Sequence, residues 1–256
     1  MKKSPLKHSF IGILILSFWL APQQGRADQV QIAVASNFAP ALKTISQHFE
    51  NQTGHRVQIS SASTGKHFAQ IIQGAPFDIF FAADSQHPKQ LERQKLSVPN
   101  SRFSYALGKL VLWSADAHLI DEQASILHLG EFQFLAIANP KLAPYGQAAR
   151  EVLEAFKLWD SMQSQIVRGE NIGHAFQFVY SGNAQLGFIA RSQLIQFNSD
   201  NQGSFWSVPQ SLYAPIEQQA VLLNDKEGAR AFVAFVKTPP MLEIIRGFGY
   251  GIPYVK

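Results

Sequence analysis

Cysteine is absent from this 256-residue chain. That excludes disulfides, which an exported protein could otherwise form, and a lipid anchor on cysteine. Stability must therefore come from burial, for which 20 phenylalanines supply apolar area. Long apolar runs are also lacking: beyond the N-terminal region no segment suffices to span a bilayer. Catalytic motifs are missing too. The eight histidines are scattered, without H-E-x-x-H or similar ligand spacing. No P-loop or complete dinucleotide fingerprint occurs. Ser61-x-Ser63-x-Gly65 lacks the first glycine that the strained turn of a nucleophile elbow requires. These absences argue against an enzyme and against a cation site.

The N-terminus carries Lys2, Lys3 and Lys7, then a mostly apolar run of 11 residues from Phe10 to Leu20. Gly25-Arg26-Ala27 follows with small residues at −3 and −1 of a cleavage site. This is the pattern of a secretory signal peptide over 1–27, and its apolar run is too short for a membrane span. The segment holds four cations and no acid. The whole chain has 22 Lys and Arg against 18 Asp and Glu, so residues 28–256 balance at 18 against 18. The basic character belongs to the leader, and the remaining 229 residues offer no basic face for nucleic acid.

Beyond the leader, apolar strand-like runs alternate with amphipathic helical stretches. Val30–Val34 reads as a strand, and Phe38, Leu42, Ile45 and Phe49 then recur at helical spacing. Further strands are expected at 57–61, 79–83, 110–113, 134–138, 186–189 and 219–223. Helices are expected near 66–73, 146–158, 172–180, 226–237 and 239–246. The order predicts an α/β fold with mostly parallel sheets.

In such sheets ligands bind where strands lead into helices. Four of these junctions carry donors: Ser36-Asn37, Ser63-Thr64, Pro144-Tyr145-Gly146 and Glu170-Asn171-Ile172-Gly173. Each directs free backbone N–H groups or hydroxyls toward one point, which suits an anion. Ser and Thr are also ordinary helix caps, so one junction alone carries little weight. Two junctions fall in each half of the chain, which predicts a cleft between two lobes. The strands near 107–113 and 213–222 are the expected crossings.

The pieces Val34-Ala35-Ser36-Asn37, Ala39-Pro40-Ala41 and Ser61–Lys66 carry a resemblance. So do Gly74-Ala75-Pro76-Phe77-Asp78 with Ile79–Asp84, Ala138-Asn139-Pro140, Ala143–Gly146 and Gly187–Ser192. In order, over nearly the whole chain after the leader, the sequence resembles the periplasmic molybdate-binding proteins of ABC importers. That resemblance implies a two-lobed type II periplasmic binding protein fold, with lobes at 28–108 plus 217–256 and at 109–216. It implies capture of molybdate or tungstate in the periplasm and delivery to a membrane permease by a monomer. Sulfate or phosphate on the same fold is the alternative. No cofactor is implied beyond the ligand, whose metal is held through the oxyanion with no direct cation ligands. The implied ligand residues are Ser36, Asn37, Ser63, Tyr145 and Ile172, the last through its backbone N–H, with Thr64 competing with Ser63. Some members place a tyrosine hydroxyl where this chain has Ala190, and the implied substitute is Asn37.

Overall fold

The computed structural model describes residues 28–197 and 203–253, so the expected leader lies outside the described residues. The first half comprises β1 (Gln29–Ala35), α1 (Ala39–Thr53), β2 (Arg56–Ala62), α2 (Thr64–Ile72), β3 (Ile79–Ala82), α3 (Gln86–Arg93) and β4 (Phe103–Gly108). There follow β5 (Leu110–Ser114), α4 (Ile126–Leu129), β6 (Leu135–Ala138), α5 (Pro144–Ala155), β7 (Ile166–Gly169), α6 (Ile172–Tyr180) and β8 (Leu186–Ala190). The chain closes with α7 (Arg191–Gln196), β9 (Ser204–Ser207), β10 (Ile216–Leu222), α8 (Glu227–Val236) and α9 (Pro239–Gly247).

The strands form two five-stranded sheets, in the orders β2-β1-β3-β10-β4 and β7-β6-β8-β5-β9. β1 is parallel to β2 and β3, and β6 is parallel to β7 and β8. β10 runs against β3 and β4, and β5 runs against β8 and β9. The sheets are thus mixed rather than mostly parallel. The two strands that lead to donor junctions in each sheet are parallel, as are β3 and β8 beside them; β10 and β5, by which the chain arrives from the opposite lobe, are reversed. One residue, Lys109, separates β4 from β5 at the first crossing. The expected single strand across 107–113 is therefore two strands, one in each sheet.

The continuous apolar runs follow from burial of both sheet faces. In β3, Ile79 and Phe81 pack with Ile32, Val34, Leu42 and Phe232 on one face. Phe80 and Ala82 point the other way, to Ala33, Ile71 and Leu91. Successive strand side chains alternate faces, so a doubly covered strand has no polar position. In the second lobe Trp113 is fully buried on β5 and stacks on Phe176 of α6, centroids 5.1 Å apart. Asp78, just before β3, is also fully buried and is compensated on every side. Its carboxylate accepts from the Gln31 N–H at 2.7 Å and from Asn224, and pairs with Lys226 Nζ at 2.8 Å. The charged residue of the Gly-Ala-Pro-Phe-Asp stretch thus locks a strand start, well inside the first lobe.

Candidate functional site

All four junctions meet. Ser36, Asn37, Ser63, Thr64, Tyr145 and Ile172 line one cavity enclosing about 180 Å³ of atom-free space. The remaining wall comes from alanines, Pro144 and Asn171, so no charged side chain lines it. Two larger clefts lie outside it. One, of about 1100 Å³, adjoins the cavity at Ala83, Ala143 and Pro144 and is lined by Asp84, Glu151 and Glu217 with Lys141, a balance of charge that disfavours an anion. The other, of about 1230 Å³, runs along β4 and is mostly apolar.

Each donor is set by local geometry. The N–H of Ser36 bonds the Ala62 carbonyl at 2.9 Å, which holds the loop after β1 against the end of β2. Ser63 is the extended N-cap of α2; its Oγ accepts from the Lys66 N–H at 3.4 Å, a long contact that leaves the hydroxyl hydrogen available. The adjacent Thr64 is differently engaged, since its Oγ1 accepts from the Ala83 N–H at 3.0 Å. At α5, Pro144 stands in the first turn and brings no N–H, leaving that of Tyr145 exposed on the helix end. At α6, Asn171 caps the helix by accepting from the His174 N–H at 3.1 Å, while the buried Ile172 side chain packs in the core of the second lobe. The backbone N–H groups of Asn37, Ser63, Thr64, Tyr145 and Ile172 find no acceptor among the described residues. Those of Ser63, Thr64, Tyr145 and Ile172 are the orphan donors that helix starts leave over, and Asn37 lies just ahead of the α1 cap, Phe38.

The lobes touch across the cavity mouth. The Gly65 N–H bonds the Leu142 carbonyl at 2.8 Å, and a Cβ at Gly65 would stand 3.1 Å from that oxygen. The Gly173 N–H reaches Ser36 Oγ at 3.4 Å. Outside them, Lys66 Nζ pairs with Glu170 at 2.9 Å.

Behind the cavity lies a polar network that sequence reasoning missed. Asn37 Nδ2 donates to Gln218 Oε1 at 2.8 Å and to the Tyr250 hydroxyl at 3.2 Å. Tyr250 in turn donates to the Asn37 carbonyl at 2.6 Å. The single Tyr105 hydroxyl hydrogen is shared between Gln218 Oε1 at 3.0 Å and the Ala82 carbonyl at 3.1 Å, and Gln218 Nε2 donates to the Tyr145 hydroxyl at 3.2 Å. The Tyr145 side chain thus points back to the crossing, where Gly108 makes room: a Cβ there would lie 2.3 Å from its hydroxyl. Burial pushes the hydroxyl pKa values of Tyr105, Tyr145 and Tyr250 upward, so all three stay neutral donors and acceptors. Two adjacent glutamines, Gln218 and Gln219, standing with Glu217 in a strand whose other residues are apolar, were the available signal. Ala190 is fully buried at the start of α7, and its N–H bonds Gln193 Oε1 at 2.9 Å.

Known proteins place this architecture. Residues 30–251 match the bacterial extracellular solute-binding protein family. The chain is 44% identical over 243 residues to the molybdate-binding protein ModA of Azotobacter vinelandii, covering 94% of this chain and 96% of that one. ModA of Rhodobacter capsulatus is also 44% identical, over 227 residues and 88% of each chain. A solved periplasmic molybdate-binding protein of Azotobacter vinelandii superposes with a TM-score of 0.84 at 41% identity, over 88% of this chain and all of that one. The chain is a bacterial extracellular solute-binding protein and belongs to the ModA family.

Proposed function

We propose that this chain captures molybdate or tungstate in the periplasm and delivers it to the membrane permease of an ABC importer. The observation that carries the reading is the cavity wall: donors from four helix starts in two lobes, with no charged side chain among them. A buried dianion needs its hydration shell replaced, and convergent N–H and O–H groups do so without a cation. Each helix N-terminus adds roughly 0.3–1 kcal/mol of favourable field. A shell made of donors suits a fully deprotonated oxyanion and disfavours protonated phosphate, whose proton would face a donor. In this reading selectivity over sulfate comes from cavity size, since its shorter bonds to oxygen would leave it short of donors placed for molybdate.

In this reading the ligand is held by Ser36 and Ser63 through hydroxyls, and by Asn37, Tyr145 and Ile172 through backbone N–H groups. The Asn37 side chain spends both amide hydrogens on Gln218 and Tyr250 and so anchors the loop that carries its backbone N–H. The lobes are 28–108 with 217–256, and 109–216; they swing about the two crossings to admit and release the ligand. The protein acts as a monomer without a resident cofactor and is exported by the leader at 1–27. No described helix is long and apolar enough to cross a membrane. Calorimetry on residues 28–256 with molybdate, tungstate, sulfate and phosphate tests the reading. Tight binding of the first two only is expected; binding of sulfate or phosphate with silence toward molybdate overturns it.

A further inference from the structure

The two amides of the network behind the cavity can be oriented in only one self-consistent way. Tyr250 has a single hydroxyl hydrogen, and its shortest contact, 2.6 Å, is to the Asn37 carbonyl, which can only accept. Toward the Asn37 side chain Tyr250 is therefore an acceptor, and so Asn37 must present Nδ2 to it at 3.2 Å, not Oδ1. The second Nδ2 hydrogen meets Gln218 at 2.8 Å, so Gln218 must present its oxygen there. That turns Gln218 Nε2 to the Tyr145 hydroxyl. The orientation of two amides is thus set by one tyrosine near the C-terminus, and Gln218 transmits it from one lobe to the other. Gln218 is fully buried. A side chain of similar shape without both polar ends would leave Asn37 or Tyr145 unpaired.

Resting on the oxyanion reading above, we propose that Gln218 is a positioning residue of the ligand site: it keeps the Asn37 amide turned nitrogen-first and Tyr145 anchored. Both Asn37 amide hydrogens are taken up by Gln218 and Tyr250, so what Gln218 positions for the ligand is the backbone N–H of Asn37, which bonds no described acceptor, and the turn that carries Tyr145. Gln218 itself stands behind Asn37 and Tyr145, outside the residues that line the cavity.

Two variants test this by calorimetry with molybdate. Gln218→Met keeps the length and volume but removes both polar ends, and should weaken binding about tenfold or more. Gln218→Glu is the discriminating variant. When protonated, its carboxyl accepts from Asn37 and Tyr105 and donates to Tyr145, as Gln218 does; when ionised it only accepts and adds a charge near the ligand. Its affinity should be poor at about pH 8.5 and recover toward the unaltered protein at about pH 5.5, because burial raises a carboxyl pKa into this range. The titratable groups bonded to Gln218 are Tyr105 and Tyr145, so the unaltered protein should show a flat profile there. A merely structural role would lower the melting temperature of the ligand-free variant without this pH recovery of affinity. Unaltered affinity in Gln218→Met, or a flat profile in Gln218→Glu, overturns the proposal. Molybdate binding by the unaltered protein tests the underlying reading separately.

Discussion

The ammonium of Lys66, at the start of α2 in one lobe, lies 2.9 Å from the carboxylate of Glu170, just ahead of α6 in the other. Both are part-exposed, at 48% and 34%, so the pair is worth at most about 1 kcal/mol. Its position matters more than its strength, because it straddles the mouth of a cavity meant for a dianion. Lys66→Met removes both the latch and a cation that draws the ligand in. It should slow association and speed dissociation, each by about two- to fivefold. Glu170→Gln should speed dissociation similarly but also speed association, leaving the dissociation constant nearly unchanged. Stopped-flow tryptophan fluorescence at low and high salt separates the two. Equal effects of both variants on association would remove the electrostatic part of the argument.

Ser63 and Thr64 are neighbours whose hydroxyls both accept from a backbone N–H, Ser63 at 3.4 Å and Thr64 at 3.0 Å, and substitution should separate them. Ser63→Ala removes a hydroxyl whose one contact among the described residues is long. It should weaken molybdate binding by about tenfold to a hundredfold, as loss of a hydrogen bond to a charged group does. Stability should fall by only about 1 kcal/mol or less. Thr64→Val leaves the buried Ala83 N–H without its acceptor and should cost about 1–3 kcal/mol of stability. Paired denaturant and calorimetric titrations check this; the reverse pattern would assign the ligand hydroxyl to Thr64.

Gly108 is required by what approaches it and not by its own backbone. A methyl group there would meet the Tyr145 hydroxyl at 2.3 Å and Gln218 Nε2 at 2.8 Å. Gly108→Ala should destabilise the protein by about 1–3 kcal/mol, as overpacking of a filled interior does, and should weaken ligand binding as well. A variant with the affinity of the original protein would show that the Tyr145 contact at the crossing is dispensable.

His67 follows Lys66 in α2 and is fully buried, with Nδ1 3.1 Å from Gln70 Oε1 and its ring edge-on to Phe77. Burial lowers its pKa below the ordinary histidine value of 6.5. The unfolded chain therefore binds a proton before the folded one does, and stability must fall as pH drops below about 6.5 through the folded pKa. Melting temperature measured from about pH 7.5 to 5 should decline, and His67→Gln should flatten that part of the curve. A slope unchanged in the variant would assign the decline to other groups.

Much of this molecule was legible in its sequence because burial writes itself as apolar runs. The strands at 30–34, 79–83 and 186–189 were readable since both their faces are covered. Elements at the margins were not. β9 spans four residues, Ser204–Ser207, at a sheet edge. α3 is polar nearly throughout, with Pro88 and Leu91 as its buried residues. The four junctions were found because their donors sit where a strand passes into a helix, a local pattern. The residues behind them were not found, because Gln218 and Tyr250 stand 181 and 213 positions from Asn37. Such contacts leave no trace in spacing; only the fold brings them together.

The two sheet orders, set side by side, have a consequence for the ligand's shape. β1 and β6 occupy the same place in their sheets, as do β2 and β7. The junction carrying Ser36 and Asn37 therefore corresponds to the one carrying Tyr145, and the Ser63 junction corresponds to the one carrying Ile172. The cradle has an approximate dyad running between the lobes. A tetrahedron possesses two-fold axes of its own, and along any of them it shows one pair of oxygens to each side. A planar anion with three oxygens cannot present a pair to each lobe. Discrimination by geometry is thus written into the repetition of the architecture, before any single side chain is considered.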